Sequence, residues 1–407
     1  MADLHKTPPF FRAFLLNNNL LYTNKMRRRT FLKSAAAALT FGTLPACQTT
    51  PAKASDNSAA LKNFRKVPAV KRAPSGGDPR IRGAFPILST PYLESGAVDF
   101  DTLESEAKFV AKCGCQGMIW PQSGDSIDLL STDEKLAGME RVVRAAQNTA
   151  TTATLGCEGK DTEEMVACAK HAEKLAAKYP AANVAVISRP PDNGKSESDL
   201  RKYYLELEKH IDRPAIIQTG GGVNYTGVAP SVELLLELAK RNPKVFGYIK
   251  EESGDCNGRM AQEIAQKPVV HTVFSAWGSY QWVHQARRIG TEGVITERPA
   301  YADLLAYIWE QLENGDKFGT LTDAFSKYIL MLNIKNYISG SDLRGYHLYV
   351  LKKRGIFKNL ISREYELKNG KQIIPAKPIL REMKLTQQEK DEVETCFASL
   401  APYLKTF

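Results

Sequence analysis

Short, almost wholly apolar runs alternate with longer amphipathic stretches over the central part of the chain. The apolar runs predict eight strands, at Ala84–Leu88, Gly117–Trp120, Thr152–Gly156, Val184–Ile187, Ala215–Gln218, Val245–Lys250, His271–Phe274 and Gly293–Ile295. The stretches with helical spacing predict helices at Thr102–Lys112, Asp133–Gln147, Thr162–Lys178, Ser198–His210, Ser231–Arg241, Gly258–Gln266, Ser279–Ile289 and Tyr301–Glu313. Because the strands are continuous apolar runs, we expect both of their faces to be buried, as in a parallel sheet.

Eight strand–helix units within about 230 residues predict a (β/α)8 TIM barrel, an α/β fold. An open, doubly wound sheet is the alternative, and it usually carries a glycine-rich phosphate loop after its first strand. Here Ser89–Tyr92 follow that strand without such a loop. Further helical patterns at Thr320–Leu332, Tyr346–Lys353 and Gln387–Leu400 predict a C-terminal helical extension. We therefore assign residues 82–316 to the barrel and residues 317–407 to the extension.

The N-terminal residues have the pattern of an export signal. Arg27-Arg28-Arg29 precede a short apolar stretch, Ser34–Leu44, which is too short to span a bilayer. The run RRTFLK resembles the twin-arginine export signature. Leu44-Pro45-Ala46-Cys47 resembles a lipoprotein cleavage box, with Cys47 as the acylated residue. The sequence thus predicts an export signal over residues 1–47, a flexible tether over 48–81, and a protein of the periplasm or cell envelope that contacts membrane only through a lipid anchor.

The distribution of charge supports the division between an N-terminal segment and a folded body. The 407 residues carry a formal net charge of +10, with 43% hydrophobic residues, which is an ordinary globular composition. Residues 1–82 hold 15 Lys and Arg against three Asp, so the remaining residues have a net charge of −2. Because the positive charge lies in the N-terminal segment, the sequence does not support a nucleic-acid-binding surface on the folded body.

Cysteine and histidine spacing gives no sign of a metal centre. The six cysteines after Cys47 lack CxxC spacing, and no HExxH or HxH pair occurs. We expect these cysteines to be small buried residues, although export would permit disulfides. No nucleotide, flavin or metal motif is present, so no cofactor is predicted beyond the protein's own side chains.

A lysine at the end of a buried strand is the strongest chemical feature of the sequence. Lys250 closes the sixth predicted strand, and burying an ammonium group is costly. Burial favours the neutral form of an amine, and a neutral amine attacks a carbonyl carbon to form a Schiff base. The alternative is structural, with Lys250 paired to Glu251, Glu252 or Asp255, or reaching to the rim. The position in the strand does not separate the two.

Other strand ends carry polar groups at the edge where a barrel places its chemistry. The fifth strand ends at Gln218, and Gly220 lies within the following glycine triplet, which can expose backbone N–H groups to a ligand or form a tight loop. After the second strand, Ser123 and the next amides, including that of Gly124, can hold a carboxylate or form an ordinary turn. Glu297-Arg298 after the last strand is a substrate contact or a rim salt bridge.

Four segments together resemble the dihydrodipicolinate synthase / N-acetylneuraminate lyase family. They are GAFPILSTPYLESGAVDFDTL (Gly83–Leu103), GMIWPQSGDSIDLLSTDEK (Gly117–Lys135), GYIKEESGD (Gly247–Asp255) and GTEGVIT (Gly290–Thr296). The resemblance implies a (β/α)8 barrel with a helical extension, commonly assembled as a homo-oligomer. It implies that Lys250 forms an imine with a 2-oxo acid or sugar acid, after which a carbon–carbon bond is made or broken, or water is eliminated.

The sequence also departs from the family pattern around that lysine. Gln218 stands where the family has a tyrosine that relays protons, and Gln122 and Ser123 replace its two hydroxyl residues in the loop that seats the substrate carboxylate. A second family tyrosine falls near Pro190–Asp192, and the family arginine after the fifth strand is replaced by Tyr225. An amide is a poor acid or base, so the nucleophile is retained while the proton relay is changed.

Two functions therefore stay open. The first is an exported lyase that uses the Lys250 imine, with Ser123, Gln122, Gly124, Gln218 and Gly220 orienting the substrate. Its acid–base group would be Asp125 or Tyr225 from their spacing, and it would not be a true dihydrodipicolinate synthase. The second is a catalytically lapsed barrel that binds a small acidic or carbonyl ligand.

Overall fold

Eight parallel strands form the barrel of this computed structural model, which describes residues 68–72, 76–276, 280–316, 318–334, 345–369 and 371–405. The strands are β1 (Gly83–Pro86), β2 (Gly117–Trp120), β3 (Thr152–Gly156), β4 (Asn183–Ser188), β5 (Ala215–Gln218), β6 (Tyr248–Glu251), β7 (Thr272–Ser275) and β8 (Gly293–Thr296). Their order is β1-β8-β7-β6-β5-β4-β3-β2. A parallel bridge between Ile87 and Ile119 joins the two ends, so the sheet closes on itself. The predicted TIM barrel is confirmed.

Helices follow the strands and cover the outside of the sheet. They are α1 (Phe100–Cys113), α2 (Thr132–Ala146), α3 (Thr162–Lys178), α4 (Glu197–Glu208), α5 (Val232–Arg241), α6 (Pro243–Phe246), α7 (Cys256–Ile264), α8 (Trp282–Arg288) and α9 (Ala302–Asn314). Three-residue 3-10 helices lie at Ile127–Leu129, Pro299–Tyr301 and Ala401–Tyr403. The residues Val245 and Phe246, predicted to begin the sixth strand, lie instead in α6, because Pro243 starts a helical turn there.

Strand alternation separates an inner from an outer layer of the core. Inward side chains form a compact apolar cluster of Ile81, Phe85, Ile87, Ile119, Ala185, Ile187, Ile216, Tyr248, Phe274 and Ile295. The outward side chains of the same strands pack against the helices in a much larger cluster. The barrel interior is therefore filled by side chains, and chemistry is expected beyond the carboxyl-terminal ends of the strands.

The end of the predicted tether is packed on the barrel. Arg72 donates to the carbonyl of Thr291 at 3.1 Å, and Val70 N–H donates to the carbonyl of Leu312 at 3.0 Å. Ile81 is 2% exposed and belongs to the inner cluster. The prediction of a flexible tether is wrong for residues 68–72 and 76–81, because these residues close the amino-terminal end of the barrel. Residues 48–67 of the predicted tether, like the predicted export signal, lie outside the described residues.

The C-terminal extension contains its three predicted helices and four short strands that were not predicted. The helices are α10 (Leu321–Asn333), α11 (Gly345–Lys353) and α12 (Gln387–Ala398), and the strands are β9 (Ile361–Glu364), β10 (Glu366–Lys368), β11 (Lys371–Ile373) and β12 (Ile379–Glu382). Arg363 of β9 is buried and donates to Glu134 at 2.6 Å and to the carbonyl of Gly96 at 2.9 Å. These bonds attach the extension to the loops of the first two strand–helix units. Within the described residues, no helix is both long and apolar enough to cross a bilayer.

Candidate active site

Charged and polar side chains replace apolar ones at the carboxyl-terminal mouth of the barrel. Every second residue of a strand points inward, and this phase continues through the last residues of the strands and just past them. The inward positions at and just beyond the strand ends are occupied by Glu158, Arg189, Gln218, Lys250, Glu252 and Glu297. Five strands, β3, β4, β5, β6 and β8, thus bring polar groups to one place, which is where TIM barrels carry their chemistry.

Lys250 lies at the centre of this mouth and is 2% exposed. Its Nζ donates to Gln218 Oε1 at 3.1 Å, because the parallel register sets Gln218 of β5 beside Lys250 of β6. Glu252 Oε2 lies 3.3 Å from the same nitrogen. Of the predicted structural partners, only Glu252 shares the face of Lys250, since Glu251 lies on the opposite face and binds Arg259 Nε at 2.8 Å.

Three polar side chains predicted to orient a substrate form one hydrogen-bonded group beside the lysine. Gln218 Nε2 donates to Ser123 Oγ at 3.0 Å and to the carbonyl of Gly220 at 2.9 Å. Gln122 Nε2 donates to Gln218 Oε1 and, at 2.9 Å, to Ser123 Oγ. The N–H of Gly124 donates to Gln122 Oε1. Lys250 is therefore linked through Gln218 to the loop after β2.

Glu158 is a buried carboxyl group that the sequence analysis missed. Its Oε2 accepts the N–H of Ser123 at 3.1 Å and lies 3.7 Å from Arg189 Nε, while its Oε1 has no hydrogen-bond partner. Burial raises the pKa of Glu158 to about 7, although the positive charges of Arg189 and Lys250 oppose the shift. A carboxyl group that titrates near neutrality, within the field of the candidate nucleophile, is suited to acid–base chemistry.

Arg189 is ion-paired with Asp128 and Asp192 beside Glu158. Its side chain is 1% exposed, and its Nη2 lies 2.6 Å from Asp128 Oδ1 and 3.6 Å from Asp192 Oδ1. Burial acts to lower the pKa of the guanidinium, but the charges of Asp128 and Glu158 outweigh it and the pKa is raised. Burial also raises the pKa of the Asp192 carboxyl.

Glu252 shares the amine of Lys250 and is itself buried in the mouth. Burial raises the pKa of its carboxyl, the positive charge of Lys250 opposes the shift, and the negative charge of Glu297 adds to it. The pair can therefore pass a proton between an amine and a carboxyl of raised pKa, which is the first requirement for freeing the amine to attack.

The glycine triplet after β5 allows close approach of the loop to these groups. A Cβ on Gly220 would overlap the carboxyl of Glu252, and a Cβ on Gly222 would overlap the guanidinium of Arg189. The triplet is thus required for packing against the charged groups of the mouth. The loop also carries Tyr225, whose hydroxyl donates to the carbonyl of Val228.

The two residues predicted as acid–base groups have contacts elsewhere. Asp125 Oδ2 accepts from the N–H of Thr90 at 3.0 Å and from Ser126 Oγ at 2.9 Å, which joins the loops after β1 and β2. The hydroxyl of Tyr225 is used within its own loop. Their catalytic role stays a prediction. Glu252 contacts Lys250 directly, and Glu158 is connected to it through Ser123 and Gln218.

Cysteines and metal-binding groups add nothing further to the site. Cys113, Cys115, Cys157, Cys168, Cys256 and Cys396 are free thiols, and all except Cys256 are buried. In the part of the chain that the structure describes, no three or more His, Cys, Asp or Glu side chains are grouped as a metal site.

The barrel, its extension and the placement of Lys250 can now be compared with known proteins. The family model described as the dihydrodipicolinate synthetase family matches residues 80–335, which is more than half of the chain. The chain belongs to the dihydrodipicolinate synthetase family. The resemblance stated from the sequence motifs is thereby confirmed, and the low identities below make this a divergent member.

Curated relatives within the family are distant. The chain is 25% identical over 317 residues to a 4-hydroxy-tetrahydrodipicolinate synthase of Chlorobium chlorochromatii, a match that covers 77% of this chain and 97% of that protein. It is 25% identical over 173 residues to the enzyme of the same name from Rhizobium meliloti, covering 42% of this chain and 56% of the relative. This chain therefore matches only a little over half the length of that relative.

Solved structures agree on the fold. The sialic acid aldolase of Ruminococcus gnavus has a TM-score of 0.65 at 16% identity, and the match covers 80% of this chain and 100% of the aldolase. The N-acetylneuraminate lyase of Fusobacterium nucleatum has a TM-score of 0.61 at 18% identity, with 80% and 100% coverage. At these identities the likeness shows the shared barrel and extension.

A signal for Glu158 and Arg189 was present in the sequence. Each lies two residues beyond an inward position of a buried apolar strand, Gly156 in β3 and Ile187 in β4. Extending the period of two beyond the strand end finds both residues. Both residues are missed when the strand pattern is taken to end at the last apolar residue of the run.

Proposed function

We propose that this protein is a class I lyase that forms a Schiff base between Lys250 and a small carbonyl compound. It then makes or breaks a carbon–carbon bond, or eliminates water. The observation that supports this most strongly is the buried Lys250 amine at the mouth of the barrel, within 3.3 Å of Glu252 and 3.1 Å of Gln218. The 2-oxo acids and sugar acids implied by the resemblance are the first expected substrates.

Glu252 is the group that frees the amine. The ammonium of Lys250 gives a proton to the Glu252 carboxylate, and the neutral amine adds to the carbonyl carbon of the substrate. The carbonyl oxygen then takes protons and leaves as water, and the nitrogen is left double-bonded to carbon. Because burial raises the pKa of Glu252, its carboxylate accepts the transferred proton more readily than an exposed glutamate would.

Glu158 is the group that moves the second proton. In a cleavage, the hydroxyl beside the breaking bond loses its proton to the Glu158 carboxylate while the bonding electrons move onto the imine. A pKa of about 7 keeps both forms of this carboxyl present under neutral conditions. Gln218 and Ser123 hold the lysine and Glu158 in relative position through their hydrogen bonds.

We propose that the reaction differs from dihydrodipicolinate synthesis. Gln218 occupies the place of the family's relay tyrosine, and its amide is already hydrogen-bonded to Lys250, Ser123 and Gly220. An amide in this position cannot carry a proton between substrate and solvent.

The same observation supports a second candidate, a barrel that binds a carbonyl compound without turnover. Product profiling separates the two functions. The purified protein is incubated with a panel of aldehydes, ketones, 2-oxo acids and their aldol adducts, and products are followed by NMR. We expect one class to be converted by the wild-type protein and not by a Lys250→Met variant. Ligand binding with no conversion in any class would favour the second candidate.

We also propose that the protein is exported through its twin-arginine segment and anchored at Cys47. This proposal is supported by the order of charge, apolar stretch and cysteine in residues 27–47. Replacing Arg28 and Arg29, the arginines of RRTFLK, with lysine is expected to leave most of the protein in the cytoplasm on cell fractionation. Cys47→Ser is expected to retain export but lose incorporation of a labelled fatty acid. An envelope location that persists in the arginine variant, or fatty-acid incorporation that persists in Cys47→Ser, would contradict the proposal.

A further inference from the structure

The backbone amides at the end of β2 are already occupied by oxygens of the chain. The N–H of Ser123 donates to Glu158 Oε2 at 3.1 Å, and the N–H of Gly124 donates to Gln122 Oε1. From the sequence, these amides could hold a substrate carboxylate or belong to an ordinary turn. A carboxylate arriving at this place would have to displace one that is already there.

The cations of the mouth already face carboxylates, although Arg189 Nε and Arg298 Nε make no hydrogen bond. Arg189 has Asp128, Asp192 and Glu158 within 3.7 Å of its guanidinium. Lys250 has Glu252, and it is the reacting group. Arg298, next to the mouth, donates Nη1 to the carbonyl of Glu297 at 2.7 Å and lies within the field of the tyrosines of the extension.

Burial makes a further anion at the mouth costly. It raises the pKa of Glu158, Glu252 and Asp192 even though the positive charges of Arg189 and Lys250 oppose the shift, so the site already resists ionisation of its own carboxyl groups. Glu297 encloses the opposite side, where a Cβ on Gly124 would lie 2.6 Å from Glu297 Cγ. A ligand carboxylate placed beside Glu297 and these carboxyl groups would be disfavoured by desolvation and by like-charge repulsion.

Two oxygens at this place need hydrogen-bond donors. Glu158 Oε1 and Asp192 Oδ1 are buried, and neither has a hydrogen-bond partner. Buried acceptors without partners are costly, and a ligand that carries hydroxyl groups supplies the donors they lack. The mouth therefore offers a reactive amine, unpaired oxygens and the unpaired Nε–H groups of Arg189 and Arg298, and a hydroxyl group can both donate and accept there. Its loop amides are occupied, and its guanidinium charges already face carboxylates.

We infer that the Lys250 site takes an uncharged, hydroxyl-bearing carbonyl compound, such as a hydroxyaldehyde or hydroxyketone, in preference to a 2-oxo acid. This inference rests on the proposed Schiff-base function, and it departs from the 2-oxo acids that the resemblance implies. The hydroxyl groups donate to Glu158 and Asp192, and the carbonyl carbon is bound by Lys250.

Borohydride trapping with matched pairs tests the charge preference. Pyruvate is compared with methyl pyruvate, which keeps the 2-carbonyl group but lacks the negative charge, and glyoxylate is compared with glycolaldehyde. The rate of modification of the protein is divided by that of N-acetyl-lysine amide under the same conditions, which removes differences in intrinsic reactivity. We expect the uncharged member of each pair to be favoured at least about tenfold, equal to about 1.4 kcal/mol.

A charge-removing variant gives the second arm of the test. Glu297→Gln removes one negative charge facing the loop after β2, and it is expected to shift the ratio several-fold toward pyruvate. Glu163→Gln, an exposed residue of α3, serves as the control and is expected to leave the ratio unchanged. Trapping that favours pyruvate and glyoxylate in the wild type overturns this inference and leaves the proposed function standing. Absence of trapping with all four compounds overturns both.

Discussion

Lys250→Met is expected to lower turnover by about 10⁵- to 10⁶-fold, the order of loss found when a covalent nucleophile is removed. Methionine keeps the length and apolar body of the side chain but has no amine, so no imine is able to form. The substrate for the measurement is the compound class identified by product profiling, and kcat is compared under saturating conditions.

A matched control for this variant is available in the same fold. Lys267 is also buried and is ion-paired, with its Nζ 2.6 Å from Glu292 Oε2 next to the start of β7. Lys267→Met removes a buried lysine without touching the mouth, and it is expected to reduce stability while kcat of the folded fraction stays within a few-fold of the wild type. Circular dichroism checks that both variants fold. A Lys250→Met protein that is folded and retains wild-type kcat would exclude the imine mechanism.

Glu158→Gln is expected to lower kcat by about 10²- to 10⁴-fold, the usual cost of losing a general acid or base. Glutamine keeps the size of the side chain and an oxygen for the N–H of Ser123, but it exchanges no proton. In the wild type, kcat/KM for cleavage rises with pH through about 7, because the carboxylate form of Glu158 accepts the hydroxyl proton. In the variant this rise is expected to disappear.

The pH dependence of the free energy of unfolding gives an independent check on the pKa of Glu158. Since the pKa of Glu158 is raised in the folded protein, the native state binds more protons than the unfolded state between about pH 4.5 and pH 7. The contribution of Glu158 to the free energy of unfolding therefore falls as pH rises through this window, and Glu158→Gln is expected to remove that fall.

The control for the kinetic prediction is Glu106→Gln, at another fully buried carboxyl, which is expected to leave the pH profile of kcat/KM unchanged. If kcat/KM of Glu158→Gln still rises with pH near 7, the general base is another residue.

The architecture could be predicted because each barrel strand is marked by a short apolar run. The predicted strand at Thr152–Gly156 matches β3 in both of its bounds, as does the predicted helix at Thr162–Lys178. The four strands of the extension could not be predicted in the same way. They are short and largely exposed, so no apolar periodicity marks them, and buried Arg363 rather than an apolar core attaches β9 to the barrel.

The candidate site was predicted where polar residues end an apolar run, and in the loop after β2 through its resemblance to the family's carboxylate-seating loop. Lys250 lies inside such a run and was found, and Gln218 was found in the same way. Glu158 and Arg189 come after the runs, in segments that have the composition of ordinary loops. Their importance depends on burial and on mutual contacts across three strand–helix units, and local sequence does not contain that information.

The most direct test of the central claim is peptide-resolved mass spectrometry after borohydride reduction in the presence of glycolaldehyde, methyl pyruvate, pyruvate and glyoxylate in turn. We predict that at least one compound adds its reduced mass stoichiometrically to the peptide that contains Lys250, and that Lys250→Met abolishes the addition while Lys267→Met retains it. Stoichiometric labelling of any other lysine, or a Lys250 peptide that stays unmodified with all four compounds, would contradict the account.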